Sequence, residues 1–497
     1  MSAVDGGPVV ESRPRPPGRP LRRNRDFLLL WVGAGLSVLG DRAATVAFPL
    51  LMIWYGNSPG EAGLVGFAGL LPMLLFQLPA GVLVDRLDRR TTMIVCDLAG
   101  LLAMAGLGAA LLCGKLWLPH IMAVAFVEGT ASIFYRLSER AAVPHVVDDG
   151  QVSTALSQNE ARSRAAGLLG QPLGSAAYGW ARWSPFFTAA LGHLLALVSL
   201  LCIHGRFQTP REPAPWRPRA ELAEGFQWLL RQRFLRSAIT LVAVTNVLFQ
   251  ALSLALVLII KEGGGSPAAI GLVGVVSGIG GVVGAVGGSR VVRRLNPGTV
   301  MIAVFSVWAL LMPLVALTSN VFLLGALFAG TSCAGAVLNV MAGVYQVQAT
   351  PDELQGRVGG VAGLLSSGAG SLGALAGGYA LGRLGSTGTV LAVGAVMAAT
   401  AVTAALIPAV REARRPDGPP EPEATARRPD ENPDVRPYEN PDVRPHEKPD
   451  VRPHENPDVR PHEKPDVWPH EKPEARPDEK QGKRPDQRPG KPSSDIE

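Results

Sequence analysis

The chain has 497 residues, 47% of them apolar and 18% charged, with a mean hydropathy of +0.21. A soluble chain of this length is expected to hold roughly three domains with about 25% charged residues, whereas here charge concentrates in 1–26 and 411–497 and the stretch between is dominated by Leu, Ala, Val and Gly. The net charge of +6 does not argue for nucleic-acid binding, because the arginines fall between apolar segments, where the positive-inside rule accounts for them.

Arg22, Arg23 and Arg25 precede an apolar run from Phe27 to about Ile53. That run is too long for the core of a cleavable signal and has no small-x-small exit, so it is expected to be the first membrane span. A helix of ~20 apolar residues crosses the hydrocarbon core. Such segments fall near 27–54, 62–84, 91–113, 118–138, 154–179, 185–205, 237–260, 267–289, 298–317, 320–345, 356–382 and 388–410. The expected fold is therefore an all-α polytopic membrane protein with twelve transmembrane helices in two six-helix bundles. Its expected parts are a basic N-terminus (1–26), a first bundle (27–206), a basic linker (207–236), a second bundle (237–410) and a tail (411–497).

Alternate loops differ sharply in charge. The N-terminus, the loops and ends associated with even-numbered spans, and the start of the tail carry about 27 Lys and Arg, against Lys115, Arg182, Lys261 and Arg383 on the other side. The Arg-rich side, with both termini, is expected to be cytoplasmic. Two landmarks recur at one offset, Gly81 with Gly288 and Pro144 with Pro351 (288 − 81 = 207), which points to an internal duplication. Parallel duplicated six-helix halves are the plan of one large transporter class.

Ionisable residues inside spans are costly unless paired or lining a cavity. Asp41 lies ~22 Å into the first span at 1.5 Å per residue, and Glu128 sits near mid-depth in the fourth. These two are the candidates for holding a coupling proton or a cationic substrate. Asn246 and Gln250, one turn apart in span 7, are candidates for lining a pathway. Asp97, only seven residues into span 3, is grouped with Arg136, Glu139 and Arg140 in a charge network at the Arg-rich end.

After span 2 the pattern G-x-x-x-D-R-x-x-R-R runs from Gly81 through Asp85 and Arg86 to Arg89 and Arg90. Gly81 is expected to allow close helix approach, Asp85 to face a helix N-terminus, and the arginines to pair with acids on neighbouring helices. Span 5 carries Gly170, Pro172 and Gly174, expected to kink that helix and bring a neighbour close. Thr350, Pro351, Asp352 and Glu353 read as a capped start for span 11 and a dipole partner for Asp85, with Arg357 beside it.

The Gly81–Arg90 segment resembles the loop-2/3 signature of the major facilitator superfamily. With Asp88 in place of a more usual Gly, it is similar to the branch of multidrug and siderophore exporters related to macrolide-efflux proteins. Leu39-Gly40-Asp41, Ala47-Phe48-Pro49, Gly170-Gln171-Pro172-Leu173-Gly174 with Pro185-Phe186, and the stretch from Thr350 to Arg357 share the resemblance, which covers about 27–410. It implies a twelve-helix fold, alternating access, and proton-coupled export of a small drug-like or natural-product molecule across the inner membrane. Two departures stand out: Val292 occupies the second-half position of Asp85, and Ala189 and His193 replace an acid and a Tyr.

From Glu431 an octapeptide of the form ENPDVRPH recurs about six times, a composition expected to be disordered with polyproline II character. Its histidines recur every eight residues, ~25 Å apart in that conformation, so no metal site is assigned. The four cysteines lie in apolar runs without a CxxC spacing. No Walker A loop fits: Gly108 to Lys115 has one residue too many and continues with Leu116. The chain is expected to be a monomeric, non-enzymatic protein without cofactor, whose partners are a small molecule, protons and the lipid bilayer. The rival expectations are a loosely coupled facilitator or lipid flippase, and a transport-inactive scaffold or sensor whose tail binds a partner.

Overall fold

Long apolar runs with polar or proline-marked starts become helices. The computed structural model describes residues 20–56, 58–205, 207–208, 218–351 and 354–413. The first half contains α1 (Arg25–Leu50, continued by a π turn Leu51–Tyr55), α2 (Pro59–Arg86), α3 (Arg89–Leu112), α4 (Leu118–Val146), α5 (Val152–Trp180) and α6 (Ser184–Leu201). A linker helix α7 (Pro218–Arg231) leads to α8 (Arg233–Glu262), α9 (Pro267–Arg294), α10 (Pro297–Leu314), α11 (Val321–Ala349), α12 (Gln355–Leu406) and the short α13 (Pro408–Arg411).

Local chemistry sets the starts. Asn24 accepts the Phe27 amide at 3.1 Å, and the Asp88 carboxylate accepts the Thr91 amide at 2.7 Å. Each satisfies an orphan donor at a helix N-terminus. Proline opens α2, α9 and α10, where its missing N–H costs nothing. Thr350, expected to cap span 11, instead closes α11, its amide bonded to the Gln346 carbonyl. The next helix begins five residues later at Gln355.

Ten helices among the described residues are long and apolar enough to cross a membrane. One of them, α12, has 52 residues, ~78 Å at 1.5 Å per residue and more than twice a ~30 Å hydrocarbon core. It breaks at Gly385 (φ 69°, ψ −175°), a backbone region open essentially to glycine alone. The two arms, 355–384 and 386–406, correspond to spans 11 and 12. Helix α5 is as long as α4, at 29 residues, but carries Glu160, Arg162 and Arg164, which lower its apolar content. Counting α5 and both arms, twelve long helical segments among the described residues follow the twelve expected spans in order.

The expected polar linker contains a helix. Leu229 of α7 is buried with Leu235, Val358 and Val361, while Phe226 and Leu230 stay exposed. An amphipathic face inside a basic, low-hydropathy stretch is invisible to a count of apolar residues.

Helix starts repeat between halves. Residues 25, 59 and 89 recur at 233, 267 and 297, an offset of 208 (267 − 59), and 118 and 152 recur at 321 and 355, an offset of 203 (321 − 118). The single 207-residue offset of the two landmarks is thus replaced by two registers, the α10–α11 passage being five residues shorter than its counterpart. The halves meet along α2–α12 and α5–α9. At the Arg-poor end they touch backbone to backbone: a Cβ on Gly63 would lie 2.7 Å from the Gly378 Cα, and one on Gly271 2.9 Å from the Pro172 Cα. The Lys261 ammonium also donates to the Ile53 carbonyl in the π turn at 2.6 Å. Toward the Arg-rich end, α2 reaches α12 through the side chains of Leu74 and Leu78 against Gly368 and Gly360.

Candidate functional site

Close packing of α6 on α1 builds the site. A Cβ on Gly40 would lie 2.8 Å from the Ala189 Cα, and one on Gly192 2.6 Å from the Leu36 carbonyl oxygen, so both glycines permit the approach. The approach brings His193 of α6 against Asp41 and Ser37 of α1. Gly100 of α3 leaves room for the imidazole, since a Cβ there would come within 2.6 Å of its Cε1 and Nε2.

Four ionisable groups from four helices then converge. His193 Nδ1 lies 3.0 Å from Asp97 Oδ1, and its Nε2 lies 3.1 Å from Asp41 Oδ1 and 3.4 Å from Glu128 Oε1. The Ser37 hydroxyl donates to Asp97 Oδ1 at 3.1 Å and is 3.2 Å from His193 Nδ1. The side chains are 4% (His193), 1% (Asp97), 9% (Glu128) and 15% (Asp41) exposed. Beyond these contacts with one another, neither Glu128 oxygen, nor Asp41 Oδ1, nor His193 Nε2 has a hydrogen-bond partner among the described residues. Three carboxyl groups around one imidazole are more acids than a single base can balance, so at membrane depth the surplus must be met by bound protons or by a cation.

Asp97 therefore corrects the expectation that it belongs to the charge network at the Arg-rich end. Eight residues into α3, it meets His193, while Arg89 and Arg90 at the start of that helix reach backbone carbonyls instead. His193, in sequence a replacement for another residue type, joins the site as well; its signal is a lone imidazole in an otherwise apolar span.

At the Arg-rich end Arg89 and Arg90 bind carbonyls rather than the acids expected. Arg89 Nη1 donates to Ala141 O at 2.8 Å and Phe207 O at 3.2 Å. Arg90 Nη2 donates to Leu200 O and Leu201 O at 3.1 and 3.3 Å. A guanidinium at the last carbonyls of α6 complements the helix dipole. Gly81 is also corrected: among the described residues nothing lies within 4 Å of a Cβ placed there, so no close approach depends on it. Asp85 and Arg86 are exposed at the end of α2, and Arg136 and Arg140 are exposed on α4. Asp352 and Glu353 lie outside the described residues.

Glu139 is held by Arg162, a charge in α5 that the spacing of the expected network does not include. Arg162 Nη2 contacts both carboxylate oxygens, at 2.7 and 3.0 Å, Arg162 Nη1 donates to Trp31 O at 3.0 Å, and Asn159 donates to Glu139 Oε1 at 3.1 Å. This buried knot ties α4 and α5 to α1. Arg357 pairs with Glu224, joining the start of α12 to α7. Asn246 donates to the Ser366 carbonyl of α12 at 2.9 Å, and Gln250 is half-buried one turn on. Gly170 and Gly174 of α5 lie against Arg42 and Ala43 of α1, while Pro172 meets Gly271 of α9.

A two-half helical bundle with a charged cluster inside one half defines a multi-pass membrane protein of the major facilitator fold. Solved structures agree on that fold: the nucleoside transporter NupG superposes at a TM-score of 0.63 with 13% identity, over 77% of this chain and 98% of its own. A bacterial homologue of the lysosomal transporter Spinster gives 0.59 and 13% identity, over 78% and 96%. The chain belongs to the MFS_3 family, described as transmembrane secretion effector, whose model matches residues 17–426. Among curated relatives, the multidrug efflux pump Tap of Mycolicibacterium fortuitum is 32% identical over 111 residues, 22% of this chain and 27% of that protein. Macrolide efflux protein A of Streptococcus pyogenes is 27% identical over 129 residues, 26% and 31% of the two chains. The matches span less than a third of these relatives' lengths.

Proposed function

We propose that this protein is a secondary active transporter that exports a small drug-like or natural-product molecule by alternating access, driven by proton antiport. The observation that carries the reading is the buried cluster of Asp41, Asp97, Glu128 and His193 at mid-depth of a major facilitator bundle. A cluster with excess negative charge at that depth is a cation-exchange point, and Asp41 and Glu128 are the groups that load and release the proton. Alternating access is supported by the uneven meeting of the halves, backbone to backbone at one end and through leucine side chains toward the other. Rocking one half against the other would exchange those two states. The substrate class rests on the efflux relatives, and both termini are assigned to the cytoplasmic face on the arginine distribution.

Expression in an efflux-deficient host tests the reading. Wild type is expected to raise the inhibitory concentration of at least one lipophilic drug in a broad panel and to lower dye accumulation. Asp41→Asn and Glu128→Gln are expected to abolish both effects at equal membrane abundance. Full efflux by both variants would remove the coupling assignment.

A further inference from the structure

We propose that Asp41, Glu128 and His193 form a binding site for a first-row divalent transition-metal ion, with Asp97 as the carboxylate that orients the imidazole. This goes beyond the transport reading and does not depend on which ion drives transport.

Three observations converge on it. The first is donor geometry: His193 Nε2, an Asp41 carboxylate oxygen and a Glu128 carboxylate oxygen lie within 4.8 Å of one another. His193 Nε2 is 3.1 Å from the aspartate and 3.4 Å from the glutamate. Donors that share an ion at about 2.0–2.2 Å sit about 3.0–3.5 Å apart in tetrahedral or octahedral coordination. The second is that these atoms face only one another: Asp41 Oδ1, both Glu128 oxygens and His193 Nε2 have no hydrogen-bond partner outside the cluster among the described residues, and the Glu128 side chain is 9% exposed. A buried carboxylate without outside donors is strongly disfavoured unless a proton or a metal cation completes it.

The third is the far side of the ring. His193 Nδ1 faces Asp97 Oδ1 at 3.0 Å, and Ser37 donates to the same oxygen. A metal-bound imidazole characteristically donates its second N–H to a carboxylate, which fixes the tautomer and presents the other nitrogen to the ion. The chain thus supplies both layers of a carboxylate–imidazole–metal arrangement from four helices. One imidazole and two carboxylates suit Zn²⁺, Mn²⁺ or Fe²⁺ better than a soft, thiolate-seeking ion. Three protein donors leave at least one coordination position for water or another ligand. Because the donors must be deprotonated to bind, metal and coupling protons compete for the site.

The test uses the full-length protein in detergent, purified without a polyhistidine tag, titrated with Co²⁺ and read by visible absorption, then with Zn²⁺ in competition. Wild type is expected to take up one more Co²⁺ per chain than His193→Ala, displaced by Zn²⁺, over a background from the tail histidines common to every variant. Glu128→Gln is expected to weaken this uptake at least tenfold. Asp97→Asn, a positioning change, is expected to weaken it about 10–100-fold while conserving the number of ions bound at saturation. A wild-type rise in melting temperature on adding Zn²⁺, reversed by a chelator, gives a readout independent of whether the variants fold. No excess Co²⁺ over His193→Ala, or no Zn²⁺-dependent stabilisation of wild type, overturns the proposal. A protein that binds metal but moves no drug keeps the site and loses the transport reading; one that moves drug without binding metal does the reverse.

Discussion

Burial decides what the two prominent ion pairs are worth. Arg162 and Glu139 are almost fully buried, whereas Arg357 and Glu224 are 37% and 55% exposed. Removing one partner of a buried pair leaves an uncompensated charge and costs about 3–5 kcal/mol, while exposed pairs contribute about 0–1 kcal/mol. Arg162→Met is therefore expected to lower the melting temperature in detergent by several degrees. The double change Arg162→Met with Glu139→Leu is expected to recover much of that loss, and Arg357→Ala to shift the temperature hardly at all. Equal losses for Arg162→Met and Arg357→Ala would contradict this ranking. The same scale explains what the sequence left illegible: Asp41 and Glu128 stand out as acids in apolar spans, but no spacing rule links positions 41, 97, 128 and 193. Their meeting depends on the packing of α1, α3, α4 and α6, set by small residues such as Gly40, Gly100 and Gly192 whose role only contacts reveal.

Helix positions were largely written in hydropathy, since the period of an apolar run and its prolines carry that information locally. Boundaries were less so: α4 runs eight residues beyond the expected 138, through Arg140 to Val146, because polar residues extend a helix once it leaves the apolar layer. Helix α7 escaped altogether for the same reason. The break in α12 hangs on one residue. Gly385 adopts a conformation that costs other residues about 1–3 kcal/mol, and nothing crowds a Cβ there. Gly385→Ala is therefore expected to destabilise the protein by that amount through the backbone alone, measured by thermal unfolding. No loss of stability would show that the turn between the arms is not fixed at this position.

The two halves repeat the same helix plan, yet the ionisable cluster occupies only the first. The second half contributes instead glycine-lined surfaces on α9 and α12 that let its backbone meet α5 and α2. If rocking of the halves carries the transport cycle, bulk at the meeting points must block it. Gly378→Leu is expected to abolish efflux at normal membrane abundance, since a Cβ alone would lie 2.6 Å from the Gly63 Cα. Gly81→Leu, with open space around it, is expected to retain activity; the opposite ranking would remove these contacts as a gate.

The most direct measurement of the central claim is made in proteoliposomes containing only this protein, an internal pH dye and a drug identified by resistance screening. With a pH gradient imposed, wild type is expected to move drug and protons in opposite directions, each flux stopping when the other is prevented. Glu128→Gln is expected to abolish proton movement coupled to the drug. Drug movement that proceeds at the same rate with and without the gradient, in wild type and Glu128→Gln alike, would contradict the account.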